Sequence, residues 1–311
     1  MKSIETVKTG LFFAALPFRK KLYLHGGWPN LAPSADPVQM YREYLLRFFT
    51  KQELRFADDR SSRYIDLLWR GQFDVVLNSS DEYPPLLRSI FDAPAALFCK
   101  GRRVRRPAYI SLVGTRYPDR ITIEAVDRFI VKLKSALSID DLYTTCIQDC
   151  IGSVSLFGAK HNKVQRDTIT TVSGFALGVD ERVHRASIYQ QIPTVAVLGS
   201  GISTITPVSN RYLIDEAESM DTELSFVSEF FPDEPSRRFA YPRRNRIIAG
   251  MSSLCIVFQA GPRSGALITA RFAIDEGRDV VVFDDEKLDG IGKNEGARLL
   301  AADGAGRLAI F

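Results

Sequence analysis

A doubly wound α/β fold built on a mostly parallel sheet is what the C-terminal part of this sequence specifies. Three observations predict it. Short β-rich runs recur after Arg106, each nearly continuous in apolar residues, as strands buried on both faces require. Each run ends in glycine or a small polar residue, which permits a tight turn out of the strand. Helix-like stretches separate the runs, supplying the long crossovers that parallel strands need.

The elements follow in order. Residues 1–80 read as mainly helical: Val38, Tyr41, Leu45 and Phe48 or Phe49 fall near a helical period. Tyr64, Leu67 and Leu68 continue the pattern over Arg60–Trp69. Glu82–Gly101 has two adjacent prolines, a short apolar helix and a further proline, and reads as a connector leading into a sheet. Residues 1–103 therefore form a small helical N-terminal region with its connector, and 104–311 the α/β domain. Strands are expected at Tyr109–Gly114, Thr170–Gly174, Thr194–Gly199, Leu224–Glu229, Leu254–Ala260 and Asp279–Phe283. Arg307–Phe311 is expected to add an edge strand or close the chain. Between the first two strands, Ser138–Asp167 exceeds a usual crossover by about thirty residues and is read as an insertion.

Composition narrows the function classes. The 311 residues are 45% hydrophobic and 25% charged, ordinary values for a soluble globular protein. A net charge of +4 does not specify a nucleic-acid partner, but its distribution is uneven. Five of the seven residues in Lys100–Arg106 are basic, and a second cluster spans Arg237–Arg246, enough to create local fields that attract phosphates. Cys99, Cys146, Cys150 and Cys255 show no metal-ligand spacing, even with His161 beyond the second pair. No disulfide framework is visible, so a reducing cytoplasm is the expected compartment. Leu11–Pro17 is too short to span a bilayer, and no small-residue cleavage site follows it.

Ligands of open parallel sheets sit beyond the carboxyl ends of the strands, where this sequence concentrates its small residues. Gly114, Thr115 and Arg116 end the first strand, Ser173 and Gly174 the second, and Gly199, Ser200 and Gly201 the third. One such glycine merely permits a turn; three such loops on one rim read as a phosphate-binding surface. Arg116 places a forked guanidinium at the first loop. In FAYPRRNRIIAGMS, Arg243, Arg244 and Arg246 surround Asn245 at a helix start. Successive helix residues point about 100° apart, so one or two of these arginines are expected to pair with acids such as Glu229. A further strand–loop–helix repeat, AGPRSGALITA, offers Ser264 and Gly265. Asp180 and His184 share a helix face, but no nucleophile elbow accompanies them. A helix-start Asp capping amides, with His184 packed behind the loop, is the preferred reading.

Taken together, YPPLLRSIFDAPAALFCKG, LVGTR, TVSGFALGVDERVHRAS, TVAVLGSGI, YPRRNRIIAGMSSLCIVFQA, RSGALITARFAIDEGRDVVVF and GKNEGARLLAADGA resemble the DNA-processing protein A (DprA/Smf) family. The resemblance implies an extended Rossmann-like fold and sequence-independent binding of single-stranded DNA. It also implies homodimerisation and delivery of DNA to a RecA-type recombinase in natural transformation. The fourteen positions just quoted, from Gly114 to Gly265, would then form the phosphate site, with no catalytic residue, cofactor, metal or membrane contact. This sequence departs from the family at Leu177 and Val208, where cations are usual, and at Gln259, where a Glu is usual. It stops at Phe311, so the winged-helix tail of many members is expected to be absent. Two other readings remain open. One is a phosphoribohydrolase-like enzyme, although GPRSGALITARF lacks that chemistry's Glu. The other is a scaffolding homologue with weakened DNA binding.

Overall fold

The computed structural model describes residues 4–16, 45–46, 48–101, 108–136, 139–148, 169–291 and 293–310. Among them ten strands form one sheet: β1 Asp74–Leu77, β2 Ala96–Gly101, β3 Ala108–Gly114, β4 Ile147–Gln148, β5 Ile169–Ser173, β6 Thr194–Val197, β7 Leu224–Ser228, β8 Leu254–Phe258, β9 Asp279–Phe283 and β10 Gly306–Leu308. Their order is β1-β2-β7-β6-β5-β3-β8-β9-β10-β4. From β7 to β10 every pairing is parallel. The flanking strands β1, β2 and β4 run antiparallel to their neighbours. The mostly parallel α/β sheet expected from the sequence is the observed one.

The principal helices are α1 Ile4–Ala15, α2 Lys51–Trp69, α3 Pro85–Arg88, α4 Arg120–Ser135, α5 Ile139–Cys146, α6 Val179–Tyr189, α7 Tyr212–Ser219, α8 Ala240–Met251, α9 Gly265–Asp275 and α10 Glu295–Ala302. They cover both faces because side chains alternate along each strand. In β8, Cys255 and Val257 join the core under α3, α8, α9 and α10. Leu254, Ile256 and Phe258 join the opposite core under α4, α5 and α6. That alternation of two apolar faces explains why the strands read as continuous apolar runs.

Two details correct the reading of the N-terminal part. Residues 74–77, taken as the end of a helical stretch, and residues 96–101, taken as connector, are strands β1 and β2, which extend the sheet from β7. The helices α1 and α2 are present, α2 starting at a capping box in which the Glu53 amide donates to Thr50 Oγ1 at 3.2 Å and the Thr50 amide to Glu53 Oε2 at 2.8 Å. They share a core with the sheet: Phe12, Leu54 and Tyr64 pack with Phe98, Ala196 and Phe226. The strand expected at the C-terminal end is β10, and it is not the outermost, because β4 pairs with it. Both α5 and β4 fall within the segment read as an insertion; residues 138 and 149–167 of that segment, with Cys150 and His161, lie outside the described residues, as do Arg102–Arg106 of the first basic run and residues 17–44.

Candidate functional site

Strand order reverses at β3, whose neighbours β5 and β8 leave it in opposite directions along the sheet. Such a switch point opens a crevice beyond the strands' carboxyl ends. Here the crevice is a cleft of about 810 Å³, walled by Gly114–Tyr117 after β3, by Gly261–Gly265 after β8 and by Tyr241, Arg244 and Asn245 of α8. Its two loops are tied together at the floor, where the Thr115 amide donates to the Gln259 carbonyl at 2.9 Å. Gln259 is buried, its φ is 51° and its side-chain oxygen accepts from the Asp119 amide at 2.9 Å and the Thr122 hydroxyl at 2.8 Å. A carboxylate could make both of those contacts. The amide group also donates to Asp119 Oδ2, which a carboxylate would repel. The departure from Glu to Gln thus suits an acid that packs against it.

Arg116 projects from the first loop into solvent. Among the described residues it has no ion pair, and its guanidinium lies 5.8 Å from the centre of the Tyr241 ring, a contact that orients it without neutralising it. Gly178, at φ 80°, starts α6 immediately behind. A Cβ there would fall 2.6 Å from the Thr115 and Arg116 carbonyl oxygens, so the glycine lets the Arg116 loop lie flat against α6. In the loop after β8, Arg263 is also exposed and without an ion pair among the described residues. Ser264 caps α9 by accepting from the Ala266 amide at 3.3 Å, leaving exposed Gly265 at the positive end of the helix.

The arginine block of α8 serves differently. Arg246 is buried and pairs with Glu229 and Asp92, both at 2.7 Å. Arg243 reaches the same Glu229 at 2.9 Å. The pairing with Glu229 expected from helix geometry is therefore present, and neither of these two arginines lines the cleft. Arg244 is buried as well. Its Nη1 donates to the carbonyls of Gly174 and Val197, and its Nε to Asn245 Oδ1 at 3.1 Å. A Cβ on Gly174 would lie 2.2 Å from that guanidinium, so only glycine lets the arginine rest on the backbone. Burial lowers the Arg244 guanidinium from its ordinary value, against the pull of Asp180. One edge of Arg244 still lines the cleft.

Of the sequence-derived residues, the structure brings Gly114, Thr115, Arg116, Arg244, Asn245, Ser264 and Gly265 to one cleft. Ser173, Gly174, Gly199, Ser200, Gly201, Arg243 and Arg246 stand behind or beside it. Ser173 is buried and donates to the Leu112 carbonyl at 2.6 Å. The Ser200 hydroxyl donates to Thr204 at 2.7 Å, and the Gly201 amide to the Glu234 carbonyl at 2.8 Å. This loop is therefore sewn to the segment after β7. Sequence reasoning missed Tyr241 and Arg263 as lining residues. Both stand inside motifs already noted, AYPRRN and GPRSG, Tyr241 in the first turn of α8 and Arg263 in the turn before α9, and that placement was the available signal.

Asp180 accepts from the Gly174 and Ala176 amides at 3.2 and 3.3 Å; it binds backbone amides, as the sequence suggested, but those of the loop before α6 and not of the helix itself. Burial raises its carboxyl, opposed by Arg244 and those amides. His184 is buried, its Nδ1 2.8 Å from the Thr194 hydroxyl. Burial, reinforced by Arg244, pushes it down to about 3. The folded value lies below the ordinary 6.5, so the unfolded chain takes up the proton first. This residue's contribution to stability is complete above about pH 6.5 and declines as pH falls toward 3. At pH 5 the loss is about 2 kcal/mol. Urea unfolding at pH 7 and pH 5 should show that extra acid sensitivity in the wild type and not in His184→Gln; equal pH dependence in both would refute the assignment.

Among the described residues no group of acids, histidines and cysteines could hold a metal, Cys146 and Cys255 are buried thiols, and no helix is long and apolar enough to cross a membrane. Residues 74–138 and 155–309 match the family model described as DNA recombination-mediator protein A. The DNA processing protein DprA of Bacillus subtilis is 32% identical over 257 residues, 79% of this chain and 75% of that protein. Its Streptococcus pneumoniae counterpart is 32% identical over 226 residues, 72% of this chain and 67% of that protein. Protein Smf of Escherichia coli is 30% identical over 239 residues, and the chain spans 54% of its length. The X-ray structure of DNA processing protein A from Streptococcus pneumoniae superposes with a TM-score of 0.67 at 25% identity, covering 99% of this chain and 95% of that one. A Helicobacter pylori DNA processing protein A, whose structure concerns its single-stranded DNA binding mode, shares the fold at a TM-score of 0.56 and 20% identity, over 76% of this chain and 90% of that one.

Proposed function

The chain belongs to the DNA recombination-mediator protein A family, and from that premise we propose that its switch-point cleft binds the phosphate backbone of single-stranded DNA without regard to sequence. One observation carries the reading. Arg116 and Arg263 both line the cleft, exposed and without ion pairs among the described residues, while the neighbouring Arg243 and Arg246 pair with acids and Arg244 rests on backbone carbonyls. Charges kept unpaired beside a helix start and glycine-rich loops suit a polyanion. A binding role, rather than a catalytic one, is supported by Asp180: this acid is buried and its carboxylate is occupied by backbone amides. Family resemblance supports the wider reading, a homodimer in the cytoplasm that processes incoming DNA and delivers it to a RecA-type recombinase during transformation.

Fluorescence anisotropy with labelled oligonucleotides tests the cleft. Log affinity should fall with log salt by about 0.7 per phosphate neutralised. Arg116→Ala should weaken all sequences alike, by about tenfold or more, the worth of one charge-assisted contact, with no change in melting temperature. Absence of wild-type binding at low salt would remove the reading.

A further inference from the structure

We propose that a bound strand leaves the cleft across Tyr241 and continues onto a second subsite made by Arg237, Arg238 and Phe239. The inference rests on the cleft's binding single-stranded DNA and adds where the strand goes next. Arg237 and Arg238 are exposed, and neither has an ion pair among the described residues. They thus differ from Arg243 and Arg246, a few residues on, which share Glu229. Phe239 is 59% exposed between this pair and α8, a position that packing does not explain and that offers a face to an unstacked base.

The subsite is contiguous with the cleft. The Ser236 hydroxyl lies 2.5 Å from the Tyr241 hydroxyl; Tyr241 walls the cleft and sits under Arg116. The loop is also anchored before it reaches the arginines. Glu234 pairs with Arg60 of α2 at 2.7 Å, and the Arg60 guanidinium stacks 4.1 Å from the Phe231 ring centre. Pro232 accepts from the Ser203 amide at 2.9 Å. The pair is therefore presented from a fixed segment. It supplies two cations to a surface where Leu177 and Val208, 44% and 66% exposed, supply none.

The test compares oligothymidylates of about 4 and about 16 nucleotides, the range of single-strand site sizes. The double variant Arg237→Ala/Arg238→Ala should bind the long oligonucleotide about tenfold or more weakly, with a salt slope shallower by about 1.4 for two lost phosphate contacts. Its affinity for the short one should match the wild type. Phe239→Ala should weaken the long complex and leave the slope unchanged, whereas Arg116→Ala should weaken both lengths. Unchanged long-strand affinity and slope in the double variant, or equal weakening at both lengths, would overturn the second subsite while leaving cleft binding in place. A wild type that binds neither length would overturn the cleft reading and this one with it.

Discussion

Arg244→Ala is expected to lower the unfolding free energy by about 3–5 kcal/mol, the cost of breaking a buried charge network by removing one partner. Three losses combine. The carbonyls of Gly174 and Val197 lose their shared donor, and each is a buried acceptor that no other described side chain reaches. Asp180 keeps its buried carboxylate but loses the neighbouring cation that opposes its desolvation. Asn245, which donates to the Gly265 carbonyl at 3.2 Å, loses its own restraint at the base of the cleft. At about 2–4 °C per kcal/mol for a domain of this order of size, the melting temperature should drop by roughly 10 °C. Arg244→Lys should recover little, because a single ammonium cannot span two carbonyls and an amide as the planar fork does. A variant that melts as the wild type does but no longer binds DNA would assign Arg244 to the ligand instead of to the frame.

The contrast between Arg244 and Arg116 marks what the sequence made legible. Strand runs were visible because both faces of β3, β8 and β9 are buried and nothing interrupts the apolar pattern. The four-residue β1 and the connector strand β2 were hidden. DVVL is too short to display a period, and ALFCKG follows a proline-rich segment that reads as loop. Glycine-rich turns located the cleft, since the turn out of a parallel strand and the approach to an anion place the same demand on the backbone. They did not separate the residues that face the cleft from those that build it. Gly174 and Gly114 look alike in the sequence; one lies under a guanidinium and the other walls the opening. Arginines in one run are equally alike until their acids are known, and Glu229 and Asp92 are far from Arg246 in the chain. Helix geometry did anticipate that some of the cluster would pair with Glu229, because residues 100° apart cannot share one phosphate.

Glu229→Ala is expected to cost a similar 3–5 kcal/mol, and it tests whether the arginine block is a brace. Glu229 is buried at the end of β7 and holds Arg243 at 2.9 Å and Arg246 at 2.7 Å. Burial alone would lower the Arg246 guanidinium, but Glu229 and Asp92 hold it above its ordinary value. Without Glu229, Arg246 keeps its pair with Asp92, which is on the segment between α3 and β2. Glu229→Gln should fall between the wild type and the alanine variant, keeping the shape and one hydrogen bond while losing the charge. The double variant Glu229→Leu/Arg246→Met should be less destabilised than the sum of its single changes, because the two most deeply buried charges leave together, and Arg243 and Asp92, which each lose a partner, keep part of their side chains in solvent. Additive losses would mean that Glu229 and Arg246 act independently. DNA affinity separates the two classes of arginine on the same protein preparations. In Glu229→Ala, affinity should follow the folded fraction and return when the protein is refolded at lower temperature. In Arg116→Ala, it should be reduced by the same factor at every temperature where the chain is folded, because that guanidinium supports no part of the frame.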